Sequence, residues 1–283
     1  MNNQGILFLN SGSKLLPRLV TSLHSLRKHY DESITILVIG NDNAELYKKI
    51  ADEYSALIVN IDFNLKIRHH YWFEKSRLHL YTPYNNSIFL DSDTIVLNNF
   101  NELFDEIEKH DFIASQFADW RSNGRTISKR LRQWSSTDHD LVEDTIKKNI
   151  PSVNMGLYGF KKSSEFMQHW FDLTIKHPTA SLPEETTCHL LLTQYKSKIV
   201  SHQYNCSCKH DNPNIKNTKV VHFHGRKHCR IDDSYEPKYN GKIWIDNWLE
   251  VFNKNTCNIQ EWYRFCGDRY LKSLMKNIKK LKL

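Results

Sequence analysis

Apolar positions along the first ninety residues follow two alternating rhythms. Short continuous runs, Ile6 to Asn10, Ile34 to Ile39 and Ala56 to Ile61, read as buried strands. Between them, Leu16, Leu19, Leu23 and Leu26 recur at helical spacing, with Pro17 tolerable only in the opening turn. Leu46, Ile50 and Tyr54 mark a second helix in the same way. Strand and helix alternating like this predict an α/β fold with a largely parallel sheet and helices on its faces.

Further on, Ile67 to Tyr81 reads as helix, and Ser87 to Leu90 as a strand running into Asp91-Ser92-Asp93, with Thr94 to Leu97 continuing as strand. A helix over Glu102 to Lys109 and a strand over Phe112 to Ser115 follow. Residues 118–150 are polar and basic, carrying Arg121, Arg125, Lys129, Arg130 and Arg132, and read either as a functional lid or as a solvated helical insertion. Regular structure returns with a strand over Val153 to Phe160, helices around Trp170 and from Glu184 to Tyr195, and strands near Lys198 to Val200 and Val220 to Phe223. The simplest organisation is one domain over 1–235 and a helical appendage over 236–283. In the appendage, Leu271, Leu274, Met275, Ile278 and Leu281 form a stripe among lysines over 258–283. Such a helix packs onto its own domain or lies peripherally on an anionic membrane surface.

Composition narrows the classes. The net charge of +7 suits an anionic ligand, but no basic arm with interleaved aromatics points to nucleic acid. No apolar run approaches the roughly 20 residues of a membrane span, and the start lacks a signal-peptide pattern, so the chain reads as cytoplasmic. The six cysteines all lie in the last third, without scaffold spacing, as expected of free thiols. Cys206, Cys208 and His210, with His222, His224, His228 and Cys229, outline a zinc cluster, although the one-residue gap fits structural zinc poorly. A zinc-stabilised interaction domain over 206–229 is therefore the non-enzymatic alternative.

Asp91 and Asp93 stand two residues apart, and in extended chain would point to one side, about 7 Å apart. At the carboxyl end of a parallel strand they would face the crevice where open α/β sheets bind ligands. There they could share a hard divalent ion with phosphate oxygens, the ion offsetting charge on a departing diphosphate. A lone pair of this kind is equally a strand-end turn with capping aspartates.

Four further segments give the pair a context: Lys75-Ser76-Arg77-Leu78 before it, then Val153-Asn154-Met155-Gly156-Leu157, Pro183-Glu184-Glu185, and His222-Phe223-His224-Gly225-Arg226-Lys227. In this order they resemble the retaining glycosyltransferases of the GT-A fold, especially family 8, from about Gly5 to Lys227. The resemblance implies a Rossmann-like transferase moving a hexose from a UDP-sugar to a glycan, lipid-linked or protein acceptor. It makes His222 the third metal ligand, and imidazole beside carboxylates suits manganese ahead of magnesium. Lys75, Gly225 and Lys227 would meet the diphosphate, with Ser92 beside them. Asn154 and Gly156 would serve the sugar. The family's Asp-Gln is replaced here by Glu184-Glu185, so Glu185 would shield positive charge at the anomeric carbon or attack it. Lys227 follows Gly225 by two residues, where the family usually has three, and His228-Cys229 replaces Pro-Trp. The switch-point rule adds Asn10, Ser11, Gly12, Asn41, Asp42 and Asp62 as nucleoside contacts. A sugar nucleotidyltransferase is the neighbouring alternative, for which Asn10 to Lys14 makes a thin phosphate loop.

Overall fold

The computed structural model describes residues 3–12, 15–40, 43–62, 70–117, 125–176, 180, 182–208, 216–224 and 241–254. In chain order the elements are β1 (Gln4–Ser11), α1 (Leu16–Arg27), β2 (Ile34–Ile39), α2 (Ala44–Glu53), β3 (Ala56–Ile61), α3 (His70–Lys75), β4 (Asn86–Leu90), β5 (Thr94–Val96), α4 (Glu102–Lys109) and β6 (Phe112–Gln116). They continue with α5 (Arg125–Leu131), α6 (His139–Lys148), β7 (Val153–Lys161), α7 (Glu165–Ile175), α8 (Pro183–Leu191), β8 (Ser197–Val200), β9 (Cys206–Ser207), β10 (Val220–His222) and α9 (Gly241–Lys254). The chain divides into two compact units: Met1–Leu7 with Phe63–Leu90 and Phe100–Asn205, and Phe8–Asp62 with Asp91–Asn99 and Cys206–Leu283. Strand β1 contributes its first half to one unit and its second half to the other.

In the first unit the strand order is β1-β4-β7-β6-β8. β8 runs parallel to β6, whereas β7 runs antiparallel to both of its neighbours. Gly159 on β7 is needed for packing, because a Cβ there would lie 2.6 Å from Ile107 of α4. Aromatic rings fill the opposite side: Phe112 stacks on Phe166 with centroids 4.1 Å apart, and Tyr158 meets Trp170 edge-on at 5.3 Å. Trp170 is buried, and its Nε1 donates to the Glu184 carbonyl at 2.8 Å, which ties the start of α8 to this core. The register between β6 and β7 jumps from Ala114↔Tyr158 to Ser115↔Asn154, so Met155, Gly156 and Leu157 bulge from that ladder. Bulges of this kind re-aim side chains.

The helix expected over 67–81 is shorter. α3 ends at Lys75, and a 3₁₀ turn covers Leu78–Leu80; residues 67–69 lie outside those described. The Ser76 hydroxyl donates to the Phe73 carbonyl at 2.7 Å, and the Ser76 amide takes the same acceptor, which tightens the last turn. The described part of 118–150 is helical. Trp134 and Val142 within it have no exposed surface, so this insertion carries its own piece of core.

In the second unit the order is β3-β2-β1, and β2 pairs with β3 in parallel from Ile34↔Ala56 to Ile39↔Ile61. A separate three-stranded sheet has the order β5-β10-β9. The strand expected to continue past Asp93 therefore exists, but as β5 it belongs to this second sheet. α1 packs on β5 and on α9, where His24 and Lys28 meet Glu250 at 2.9 and 2.6 Å. Residues 255–283, including the basic amphipathic stretch, lie outside the described part. No helix among the described residues is long and apolar enough to cross a membrane.

Helix α8 also buries His189, whose Nδ1 has no hydrogen-bond partner. Burial lowers its pKa from 6.5 to about 4. The unfolded chain thus takes up this proton at a higher pH than the folded one, so stability present above pH 6.5 is lost as pH falls toward 4. Burial also lowers the pKa values of His29 and His79, which act in the same direction. Urea unfolding should show a loss from pH 7 to pH 5, with about 2 kcal/mol of it due to His189. His189→Gln should flatten the profile by that amount; an unchanged slope would place the pH dependence elsewhere.

Candidate functional site

The local structure that assembles the carboxylates begins with a turn. Asp91-Ser92-Asp93 is not extended chain, as the strand reading implied, but the bend between β4 and β5. Thr94 holds it by donating from its hydroxyl to the Asp91 carbonyl at 2.7 Å, and Thr94 in turn exchanges a 2.9 Å hydrogen bond with Ser22 of α1. Ser25, one helical turn later, accepts from the Val96 amide at 3.0 Å. β5 pairs antiparallel with β10 in the register that sets His222 opposite Thr94. The Phe223 amide then donates to the Asp93 carbonyl at 2.8 Å, which brings the His222 ring beside both aspartates.

His222 Nε2 lies 3.1 Å from Asp93 Oδ1 and 3.7 Å from Asp91 Oδ2. One donor atom from each of the three residues falls within 4.8 Å of the others. Cation bonds of about 2.1 Å place neighbouring donors about 3 to 4.3 Å apart, so a small contraction completes the site. Two carboxylates and an imidazole suit a first-row divalent ion. This is the one such cluster of His, Cys, Asp or Glu among the described residues. Cys206 and Cys208 are buried, and His222 turns to the aspartates. His210, His228 and Cys229 of the proposed zinc cluster lie outside the described residues. His224 hydrogen-bonds Ser207 at 2.8 Å and packs edge-on against His222.

Sequence reasoning missed Arg18. Its guanidinium stands 3.8 Å from Asp93 Oδ2, with only 12% of the side chain exposed. In sequence it was one more polar residue beside Pro17. Tyr47, predicted only as helix, was missed as well: its hydroxyl takes a 2.6 Å bond from Asn10 and donates to the Gly12 carbonyl at 3.1 Å. Gly12 has φ +64°, a turn that favours glycine. Ser92 is buried, Ser11 half-buried and Asp62 exposed, while Asn41, Asp42, Gly225 and Lys227 lie outside the described residues.

In the first unit a second polar cluster gathers around Glu185, in the opening turn of α8. Arg130 donates to Glu185 Oε1 at 2.7 Å and Asn154 to Oε2 at 3.1 Å. The Asn154 carbonyl oxygen (Oδ1) accepts from the Gly156 amide at 3.0 Å and from Asn205 at 2.9 Å. Neither Arg130 nor Asn205 was expected at the site, Arg130 being one of several basic residues in a polar stretch. Glu184, its neighbour in the first turn of α8, is buried at 4% exposure. Lys75 is buried too: Nζ donates to the Met155 carbonyl at 3.3 Å and lies 5.1 Å from the Phe89 ring centroid.

No family profile and no curated protein matches the chain. Solved structures do match. The galactosyltransferase LgtC, in complex with donor and acceptor sugar analogs, aligns at TM-score 0.60 and 11% identity over 87% of this chain and 95% of its own. The bifunctional glycosyltransferase WbbM aligns at 0.62 and 14%, covering 94% of this chain but 52% of WbbM. The glycosyltransferase GlyE of Streptococcus pneumoniae TIGR4 aligns at 0.60 and 14%, covering 90% of this chain and 63% of GlyE. This chain thus spans about half of WbbM and less than two thirds of GlyE. Identity this low carries the architecture alone, and that architecture is the mixed α/β GT-A fold of these glycosyltransferases.

Proposed function

We propose that the chain is a retaining glycosyltransferase, of family 8 type, that moves a hexose from a UDP-sugar to an acceptor hydroxyl. Asp91, Asp93 and His222 would hold a divalent cation, manganese ahead of magnesium. The observation that carries this reading is the convergence of their donor atoms within 4.8 Å in a chain with the GT-A fold. A cation held there would offset the charge that develops on the leaving diphosphate.

The motifs assign the remaining roles. Gly225 and Lys227 serve the phosphates together with Lys75, and Ser92 lies between the ligands. Asn10, Ser11, Gly12, Asn41 and Asp62 serve the nucleoside. Asn154 and Gly156 serve the sugar. Of the two glutamates, Glu185 takes the anomeric role, held by Arg130 and Asn154, and the buried Glu184 stands beside it in the first turn of α8. Arg130 and Asn154 each occupy one Glu185 oxygen, which favours electrostatic shielding of the anomeric carbon over attack upon it. The acceptor class is a glycan, a lipid-linked sugar or a protein hydroxyl.

With manganese present, the full chain should hydrolyse or transfer from at least one UDP-hexose in a panel. Asp91→Asn, Asp93→Asn and His222→Ala should each lower turnover roughly a hundredfold or more while circular dichroism stays unchanged. Full activity in any of the three removes that residue from the site. Tightly held zinc near one equivalent, with no manganese dependence, would instead support the interaction-domain alternative.

Glu185→Gln separates shielding from attack. Under shielding it should stay within about tenfold of the wild type and still yield the retained anomer by NMR; under attack an amide cannot form the glycosyl ester and activity collapses. An inverted product from the wild type removes the chain from the retaining group.

A further inference from the structure

Arg18 has no part in the reaction as described so far, yet it stands against a proposed metal ligand. We propose that Arg18 couples cation and nucleotide binding: its guanidinium holds the Asp93 carboxylate when no cation is bound and turns to the nucleotide's diphosphate when one is. This deepens the proposed function and rests on its assignment of Asp91, Asp93 and His222.

Three observations support it. The guanidinium is 3.8 Å from Asp93 Oδ2, and the two side chains are 12% and 14% exposed, so they meet with little screening. The helix that carries Arg18 cannot withdraw easily, because Ser22 and Ser25 bond it to β5 at 2.9 and 3.0 Å. Finally, the first turn of α1 contains no acidic residue, and its N-cap, Leu15, offers no side-chain acceptor. An anion arriving there meets Arg18 and a favourable helix end, with no carboxylate competing from the helix itself.

The coupling follows from charge. A dication on Asp93 would lie close to a guanidinium, so without an anion Arg18 opposes metal binding. A diphosphate accepts two parallel hydrogen bonds from the guanidinium fork and removes that repulsion. By linkage, each ligand raises the other's affinity by the same factor.

The test uses the full chain, with manganese binding followed by electron paramagnetic resonance of the free ion and UDP binding by calorimetry, each with and without the other ligand. In the wild type, saturating UDP should tighten manganese binding about tenfold or more. In Arg18→Met, manganese alone should bind severalfold more tightly and UDP more weakly, and the coupling should fall to about threefold or less. Arg18→Lys keeps the charge without the fork and should give an intermediate factor; it carries the test if the methionine variant does not fold. Wild-type coupling in the folded variants overturns the role of Arg18 and leaves the metal site standing. If manganese fails to bind the wild type, or binds Asp91→Asn equally well, the metal site itself is lost, and this inference with it.

Discussion

The candidate metal site depends on one short ladder. β5 and β10 share three residue pairs, and their register alone decides whether an imidazole meets the aspartates. Because strand side chains alternate, a slip of one residue would turn His222 away and present Val221 or Phe223 instead. Much of what surrounds the ladder acts to prevent that slip. Thr94 ties the turn to itself and to α1, Ser25 accepts from β5, and the Phe223 and Cys208 amides bond the Asp93 and His222 carbonyls. α1 is thus a helix with a serine-bearing inner face: Ser25 supplies the β5 backbone with a partner that a wider sheet would otherwise give, and Ser22 bonds the Thr94 hydroxyl.

Around Glu185 the determinant is apolar. Phe112, Tyr158, Phe166 and Trp170 form a ring cluster across β6, β7 and α7, and the Trp170 nitrogen reaches the first turn of α8. The polar cluster is laid on that platform. Leu182 enters α8 with φ 49°, an uncommon conformation for leucine immediately before Pro183. The chain therefore turns sharply into α8 just before Glu185, and the indole hydrogen bond helps to hold that turn in place.

The alternation of buried runs and helical spacings was enough to read the order of strands and helices, because burial in an α/β sheet writes itself into local sequence. Asp91, Asp93 and His222 were legible as motif residues. What could not be read were partners set by register or by packing across distant segments. Arg18, Tyr47, Arg130 and Asn205 each sit in ordinary local sequence and acquire meaning only from what they touch. The expectation of an extended chain at Asp91-Ser92-Asp93 failed because β5 leaves the main sheet at that point, a change of partner that no local pattern records. The end of α3 was hidden for a related reason: a single serine hydroxyl, not a glycine or proline, tightens it.

The bond between His222 and Asp93 joins residues 129 apart, and that separation has a consequence for how the protein is made. During synthesis the aspartates emerge long before their imidazole, and closing so long a loop is entropically slow compared with local pairing. Arg18 is already present when Asp93 emerges. A nascent chain can therefore neutralise this carboxylate with the Arg18 guanidinium before His222 arrives, which keeps an acidic turn from waiting unpaired in a half-made protein. The candidate cation site is accordingly assembled late: its imidazole joins the aspartates only when the last strand of the small sheet settles against β5.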